Sequence, residues 1–415
     1  MKTQLCGMLA VGFVLLTVGS VAVAATVTVT VEQPEHGTLM FTPALPADGQ
    51  VEAGSRFTVY AEPSAGYALD TVFEAMPGRF GRSYIESRNP EYELVVNQDK
   101  VVSALFLPEA ELQGWNEVQN VEYAQPGVKP LKYDVFAPPA ANALPIVVII
   151  HGGGWATNSE DIMRGMAREI VRSGRYVAIS IDYRWVGTGD GDAKGNSMDA
   201  LINDVFGALA HIQQHAAAYG GDPARIAVTG DSAGGHLSAV AATMVGKIGS
   251  GGFGSKPGVF EFMPSYLPAG NTAEQVRESL TSAIQVAAPS YGIFAAAGEG
   301  RIGLQHYGDP AVADATWATA IAPINHIPDA SARAVPHYLI RGTADPLISL
   351  AMVKDYADAL NAQAQLVKHV EVEGASHAFF DWKPDAQTRA TFAQYGVPYI
   401  HDMLTFFDGV FYPAR

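Results

Sequence analysis

The stretch Arg225-Ile226-Ala227-Val228-Thr229-Gly230-Asp231-Ser232-Ala233-Gly234-Gly235 decides how this chain is read. Ile226 to Thr229 are apolar or β-branched and predict a buried strand. A G-x-S-x-G turn follows, and Ser232 to Met244 continues in residues suited to a helix. Strand, sharp turn and helix in that order are what an exposed serine nucleophile needs. The turn lifts the hydroxyl clear of the sheet. Glycine at 230 and 234 leaves room for the neighbouring strand and helix. The N–H of Ala233, at the helix N-terminus, points to where an oxyanion would form. Taken alone, the same five residues also fit a glycine-rich turn of no consequence. The surrounding segments decide between the two.

Upstream, the apolar strand Pro145 to Ile150 runs directly into His151-Gly152-Gly153-Gly154-Trp155. Three glycines after a buried strand let the backbone turn its N–H groups inward, and Gly153 and Gly154 are the expected donors to an oxyanion. A phosphate cradle is the rival reading. It lacks the lysine and the helix-opening Ser or Thr of a P-loop. Downstream, His337 to Ile340 reads as a strand with Asp345 in the loop at its end. Leu366 to Val372 is the next strand, and its loop carries His377. His377 would take the proton of Ser232 and return it to the leaving alcohol. Asp345 would fix the imidazole tautomer and stabilise the imidazolium. Asp381 and Asp329 are the nearest rivals for the acid. His151, His236, His326 and His337 read as structural, and Asp231 should point away from the imidazole.

Around these motifs, short apolar strands alternate with helical patterns from residue 115 to 415. The strands are 131–137, 146–150, 176–181, 225–229, 284–288, 337–340 and 366–372. A helix capped by Ser159 should run to Arg172. Leu201, Val205, Leu209 and Ile212 mark another, ended by Gly220-Gly221. This rhythm predicts an α/β domain with a mostly parallel sheet flanked by helices. Residues 26–107 differ. Thr26 to Val31 alternates β-branched residues at period two, and further strands fall at 56–61, 92–96 and 101–106. A small all-β domain is expected there, with 108–114 as linker.

Hydrophobic residues make up 48% of the 415 and charged ones 16%, which supports a large core and argues against disorder. A net charge of −16 disfavours nucleic acid as a partner. Residues 1–25 read as a signal peptide: Lys2, an apolar run from Met8 to Val23, then Ala22-Val23-Ala24 as a cleavage site. The mature protein is then secreted to periplasm or medium, with no membrane attachment. Cys6 is the only cysteine and leaves with the signal, so no disulfide, thiol nucleophile or thiolate metal site is expected. Asp190, Asp192 and Asn196 alternate in a glycine-rich loop, but the glutamate of a calcium loop is missing. No metal and no cofactor is expected.

The five motifs His151 to Trp155, Asp182-Tyr183-Arg184, Gly230 to His236, Arg341 to Pro346 and Gly374 to Phe379 stand in one order. In them the chain resembles the hormone-sensitive-lipase-like α/β-hydrolases, especially secreted bacterial feruloyl and acetyl-xylan esterases. The resemblance covers roughly residues 115–410. It implies a serine carboxylesterase acting through an acyl-enzyme. Its substrates would be acetyl or hydroxycinnamoyl esters of polysaccharides, or aromatic esters and polyesters. The region 26–107 resembles bacterial internalin B repeat-like β domains in Pro34 to Thr38, Ala61 to Tyr67 and Lys100 to Phe106. That leaves a glycan contact open beside a spacer role. Residues 247–282 interrupt the hydrolase pattern with Phe253, Phe260, Phe262, Met263 and Tyr266, and a lid-like insertion is expected. Phe260, Phe262, Tyr266 and Trp155 are the expected substrate-pocket residues, ordinary packing being the alternative for each. Two other functions remain. Prolyl-oligopeptidase-like peptidases share the fold and triad order, but they carry a β-propeller, for which 26–107 is too short. A non-catalytic binding module would not need all four catalytic elements intact.

Overall fold

A computed structural model of the chain describes residues 25–78, 84–250, 262–295 and 319–413. Except for Ala25, the expected signal peptide lies outside them, as do Phe253 and Phe260.

The first part of the chain is two small sheets. β1 (Thr26–Val31), β2 (Gly37–Thr42), β3 (Gln50–Glu52) and β4 (Ser55–Pro63) are followed by β5 (Tyr67–Ala75), β6 (Ile85–Ser87), β7 (Glu91–Val96) and β8 (Lys100–Pro108). One sheet has the order β3-β1-β8-β5-β6 and the other β2-β4-β7. Alternate residues of these strands, such as Phe57, Val59 and Ala61, turn inward to a core with Leu94, Val96, Val102 and Phe106. β2, β3, β5 and β6 were not legible from periodicity. β5, buried along its second half, carries Asp70, Thr71 and Glu74 inside, so its pattern does not alternate.

The second part is built on one eight-stranded sheet. Its strands are β9 (Asn116–Ala124), β10 (Leu131–Ala137), β11 (Leu144–Ile150) and β12 (Val177–Ile181), then β13 (Gly221–Asp231), β14 (Ile284–Ser290), β15 (His337–Gly342) and β16 (Val367–Val372). Their spatial order is β9-β10-β12-β11-β13-β14-β15-β16. β9, β10 and β12 pair antiparallel, and every pairing from β12 to β16 is parallel. β9 escaped sequence reading because its residues are mostly polar and exposed, as an edge strand allows.

Helices cover both faces: α1 (Arg164–Arg172), α2 (Met198–His215), α3 (Ala233–Met244) and α4 (Ala273–Ala283), then α5 (Leu350–Ala362), α6 (Ala386–Thr391) and α7 (Val397–Phe411). The central strand β11 explains the two-sided pattern. Ile146, Val148 and Ile150 pack with Leu201, Val205 and Leu209 of α2. Val147 and Ile149 pack on the other face with Met166 and Ile170 of α1 and Met403 and Phe407 of α7. The helix expected from Ser159 starts instead as a 3₁₀ turn, Glu160–Met163, before α1. Ser159 makes no side-chain cap.

The two parts are joined by buried charge. Asp70 of β5 is 1% exposed. It accepts hydrogen bonds from Arg164 Nη2 at 2.9 Å, Arg168 Nη1 at 2.5 Å and Trp382 Nε1 at 3.1 Å. Arg164 also reaches Glu86 at 2.7 Å. Arg88 pairs with Asp134 of β10 at 2.6 Å and with Glu117 of β9. Burial alone would raise the Asp70 pKa, but Arg164 and then Arg168 outweigh it and hold the carboxyl far below its ordinary value. For Glu86 burial prevails over Arg164, and its pKa is pushed up to about 7.

Candidate active site

Ser232 sits where β13 ends and α3 begins, with φ +52° and ψ −112°. A positive φ is costly for a residue with a Cβ, roughly 1–3 kcal/mol. Tight packing holds it in place. A Cβ on Gly230 would lie 2.5 Å from Ile150 O, and one on Gly234 1.9 Å from the same atom. Only glycine lets β11, β13 and α3 meet this closely. The Ser232 N–H is held by Ser290 O of β14 at 3.0 Å.

The sheet brings the two partners to this turn. β15 leads into the Asp345 loop and β16 into the His377 loop, so residues over a hundred positions away arrive at the carboxyl ends of neighbouring strands. His377 Nε2 is 2.9 Å from Ser232 Oγ, and His377 Nδ1 is 2.8 Å from Asp345 Oδ2. The other Asp345 oxygen accepts the N–H groups of Leu347 at 2.8 Å and Ile348 at 2.9 Å. Burial would raise the Asp345 pKa, but the His377 hydrogen bond and then the Ile348 amide outweigh it, so the carboxyl stays below its usual range. An ionised acid on Nδ1–H leaves Nε2 free to accept a proton from the serine hydroxyl.

The glycine loop lies beside this triad. The Gly152 N–H is already taken by Asp231 Oδ1 at 2.6 Å. Gly153 and Gly154 have φ of +112° and +61°. Among the described residues neither N–H has an acceptor, and Ala233 opens α3, where its N–H has no helical partner. A Cβ on Gly153 would lie 2.4 Å from Thr157 O.

His151 anchors the start of the loop. Its ring stacks on Tyr183 with centroids 4.2 Å apart, and its Nε2 is 3.2 Å from Asp182 Oδ1. Asp231 turns away from His377 and under the loop. Burial first, and then Asp381 beside it, push its pKa well above the carboxylate range against the Gly152 N–H. Asp381 is ion-paired with Lys383 at 3.0 Å, and Asp329 caps Ser331 at the surface, so neither rival acid contacts His377. His236 accepts the Trp155 indole N–H at 3.3 Å and contacts Ile321 O. Burial lowers its pKa to about 4. His337 is likewise buried, with its pKa lowered to about 4.

Of the expected pocket residues, Phe262, Tyr266 and Trp155 are engaged in packing, and Phe260 lies outside the described residues. Phe262 is fully buried against Phe206 of α2, ring centroids 6.1 Å apart. Tyr266 lies over His211 at 4.7 Å and gives its hydroxyl to Gln214 at 2.6 Å. Both belong to the packing of 262–283 on α2, because Gly207 in that helix leaves a groove that Ser265 and Tyr266 fill. Trp155 is 5% exposed and packs with His236. Asn196 donates to Asp190 at 2.8 Å, so two of the oxygen-bearing side chains in the 187–196 loop face each other. Among the described residues no group of three His, Cys, Asp or Glu is placed to hold a metal, and no helix is long and apolar enough to cross a membrane.

Two participants escaped sequence reading. Tyr291, directly after β14, packs its ring on His377 at 5.0 Å and accepts the Phe380 N–H at 3.2 Å. Trp382, five residues past His377, ties that loop to Asp70 and to Ile162 O at 3.0 Å. Tyr291 could have been flagged by its position at a strand end before Gly292. Nothing local marks Trp382.

Strand order, helical layers and the serine turn define an α/β-hydrolase fold with a Ser–His–Asp constellation at the carboxyl edge of its sheet. The BD-FAE family model matches residues 133–258. The carboxylesterase NlhH of Mycobacterium tuberculosis is 38% identical over 124 residues, 30% of this chain and 37% of the relative. The esterase LipQ of the same organism is 24% identical over 352 residues, 76% of this chain and 75% of that one. This chain thus spans about 37% of the length of the first of these relatives. The native esterase Est2 of Thermogutta terrifontis aligns with a TM-score of 0.52 at 21% identity, covering 74% of this chain and 96% of that one. A truncated carbohydrate esterase from gut microbiota aligns at 0.50 and 21% identity, covering 70% and 95%.

Proposed function

We propose that this protein is a serine carboxylesterase that cleaves carboxylic esters through an acyl-enzyme. The observation that carries the reading is the unbroken relay Asp345–His377–Ser232 beside three unengaged N–H groups at Gly153, Gly154 and Ala233. In this reading Ser232 Oγ attacks the ester carbonyl while His377 Nε2 takes its proton. The carbonyl oxygen gains the negative charge, and the three amides stabilise it. Collapse expels the alkoxide, which leaves as alcohol with the proton from His377, and the acyl group stays on Ser232. Water then repeats the sequence, with His377 as base, and releases the acid. Asp345 stays ionised throughout and stabilises the imidazolium.

The substrate class we favour is acetyl or feruloyl esters of polysaccharides. The BD-FAE match and the likeness to a gut carbohydrate esterase support it. Export fits such a substrate, and it rests on the signal-like residues 1–25. The test is hydrolysis of p-nitrophenyl acetate, butyrate and octanoate and of feruloylated and acetylated xylan by the chain from Thr26. Ser232→Ala and His377→Ala serve as controls. Wild type should cleave the short acyl esters and the xylan esters, and each variant should lose several orders of magnitude. Equal inactivity of wild type and Ser232→Ala on every ester would overturn the reading.

A further inference from the structure

Ser232, Asp345 and His377 come from three separate segments, and the end of β14 touches all three. Ser290 O accepts the Ser232 N–H at 3.0 Å. The next residue, Tyr291, donates its own N–H to Ile340 O at 2.7 Å, near the end of β15 and just ahead of the Asp345 loop. The Tyr291 ring lies against the His377 imidazole, with centroids 5.0 Å apart and planes at 63°. Its hydroxyl accepts the Phe380 N–H at 3.2 Å, three residues past His377.

Tyr291 holds this place in an unfavourable backbone conformation. Its φ is +33°, a left-handed value that is unusual for a bulky side chain. Ala378, directly after His377, has φ +62° on the other side of the same contact. Such conformations persist where packing pins them, and they gather at sites where geometry matters. The packing here is tight. Tyr291 is fully buried, and its ring lies 4.9 Å from that of Phe379 and 6.0 Å from that of Phe380. A Cβ on Gly235 would lie 2.4 Å from Ser290 O, and one on Gly292 2.9 Å from Gly235 C. The start of α3 therefore presses on residues 290–292 and leaves them no room to slip.

His377 needs a support of this kind. Asp345 holds its Nδ1 at 2.8 Å and Ser232 Oγ lies 2.9 Å from its Nε2. Those two bonds fix the nitrogens but leave the imidazole free to rock about the line through them. A ring packed off that line stops the rocking. Nε2 must serve Ser232 Oγ and then the leaving oxygen, both within hydrogen-bond reach, so its aim bears on the rate. We propose that Tyr291 is a positioning residue for the general base: its ring sets the angle of the His377 imidazole, and its backbone ties that angle to Ser232 and β15. This rests on the esterase reading above and adds to it the device that keeps nucleophile and base in register.

The test uses the chain from Thr26 and three variants. Tyr291→Phe keeps the ring and drops the hydroxyl. Tyr291→Leu and Tyr291→Met fill the space without a ring, in two shapes, so that one failing to fold leaves the other. On p-nitrophenyl butyrate, well below each variant's melting temperature, the ringless variants should lose about tenfold or more in kcat with KM within about twofold. Tyr291→Phe should hold kcat within about threefold. Proton NMR gives a readout that a loss of stability alone does not move. The His377 Nδ1–H resonance, held downfield by Asp345, should stand in wild type and Tyr291→Phe and broaden away in the ringless variants. Ringless variants with wild-type kcat and resonance, and only a lower melting temperature, would overturn the proposal and make Tyr291 a core residue like any other. So would Tyr291→Phe falling as far as Tyr291→Leu, or a raised KM at constant kcat. If wild type cleaves no ester, the esterase reading fails and the resonance alone decides the positioning: its survival in the ringless variants overturns it.

Discussion

Replacing Asp70 by alanine tests whether buried charge joins the β domain to the hydrolase. In the native protein Asp70 accepts from Arg164, Arg168 and Trp382, and Asp70 and the two arginines are buried. Among the described residues, removing the carboxylate leaves Arg168 buried with no carboxylate partner and Arg164 with Glu86 alone. Breaking one side of a buried pair costs about 3–5 kcal/mol, because the other charge remains desolvated. At about 2–4 °C per kcal/mol for a domain of this size, the melting temperature should fall by roughly 6–20 °C. Thermal melts followed by circular dichroism read this directly, with Asp70→Asn as a milder comparison that keeps an acceptor for Trp382. The pH dependence adds a second check. The folded pKa of Asp70 lies far below its unfolded value of about 3.9, so its contribution is complete above that value and drains away as pH falls beneath it. The gap between wild type and Asp70→Ala should therefore be flat from about pH 5 upward and narrow in acid. A melting temperature within about 2 °C of wild type at neutral pH would refute the reasoning and mean that the Asp70 cluster does not stabilise the junction.

Asp345→Asn should lower kcat on p-nitrophenyl butyrate by about 10⁴ with the fold intact, since the amide favours the wrong imidazole tautomer. Near-native turnover would remove Asp345 from the relay. Gly153→Ala should reduce kcat by about 10²–10³ with little change in KM, because the new methyl must displace Thr157 O and turn a donor away from the oxyanion. A variant as active as wild type would show that Gly153 is not one of the donors. Phe262→Ala should cost about 3–5 kcal/mol in urea unfolding and leave KM for short esters unchanged. A raised KM at unaltered stability would return Phe262 to a substrate pocket.

Much of the site was legible because its parts are local. The G-D-S-A-G turn between an apolar strand and a helix announces its geometry through glycines that no other residue could replace. The glycine triplet after β11 and the loops after β15 and β16 are marked the same way, each by the strand that precedes it. Short continuous apolar runs gave the parallel strands to within a few residues at either end, since burial on both faces of a sheet leaves that pattern in the chain.

Packing between distant segments left no such mark. Phe262 and Tyr266 read as pocket aromatics by type and position, but the groove opened by Gly207 on α2 drew them into the packing of that helix. Asp70 looks like one more polar residue of a β strand. Only when β5 meets α1 do Arg164, Arg168 and Trp382 converge on it from about a hundred and three hundred residues away. The sequence by itself determined the chemistry of the candidate site, because strand and turn signals are short-range. The tertiary structure alone decided how the β domain docks, because burying a charge requires partners that no local pattern can specify.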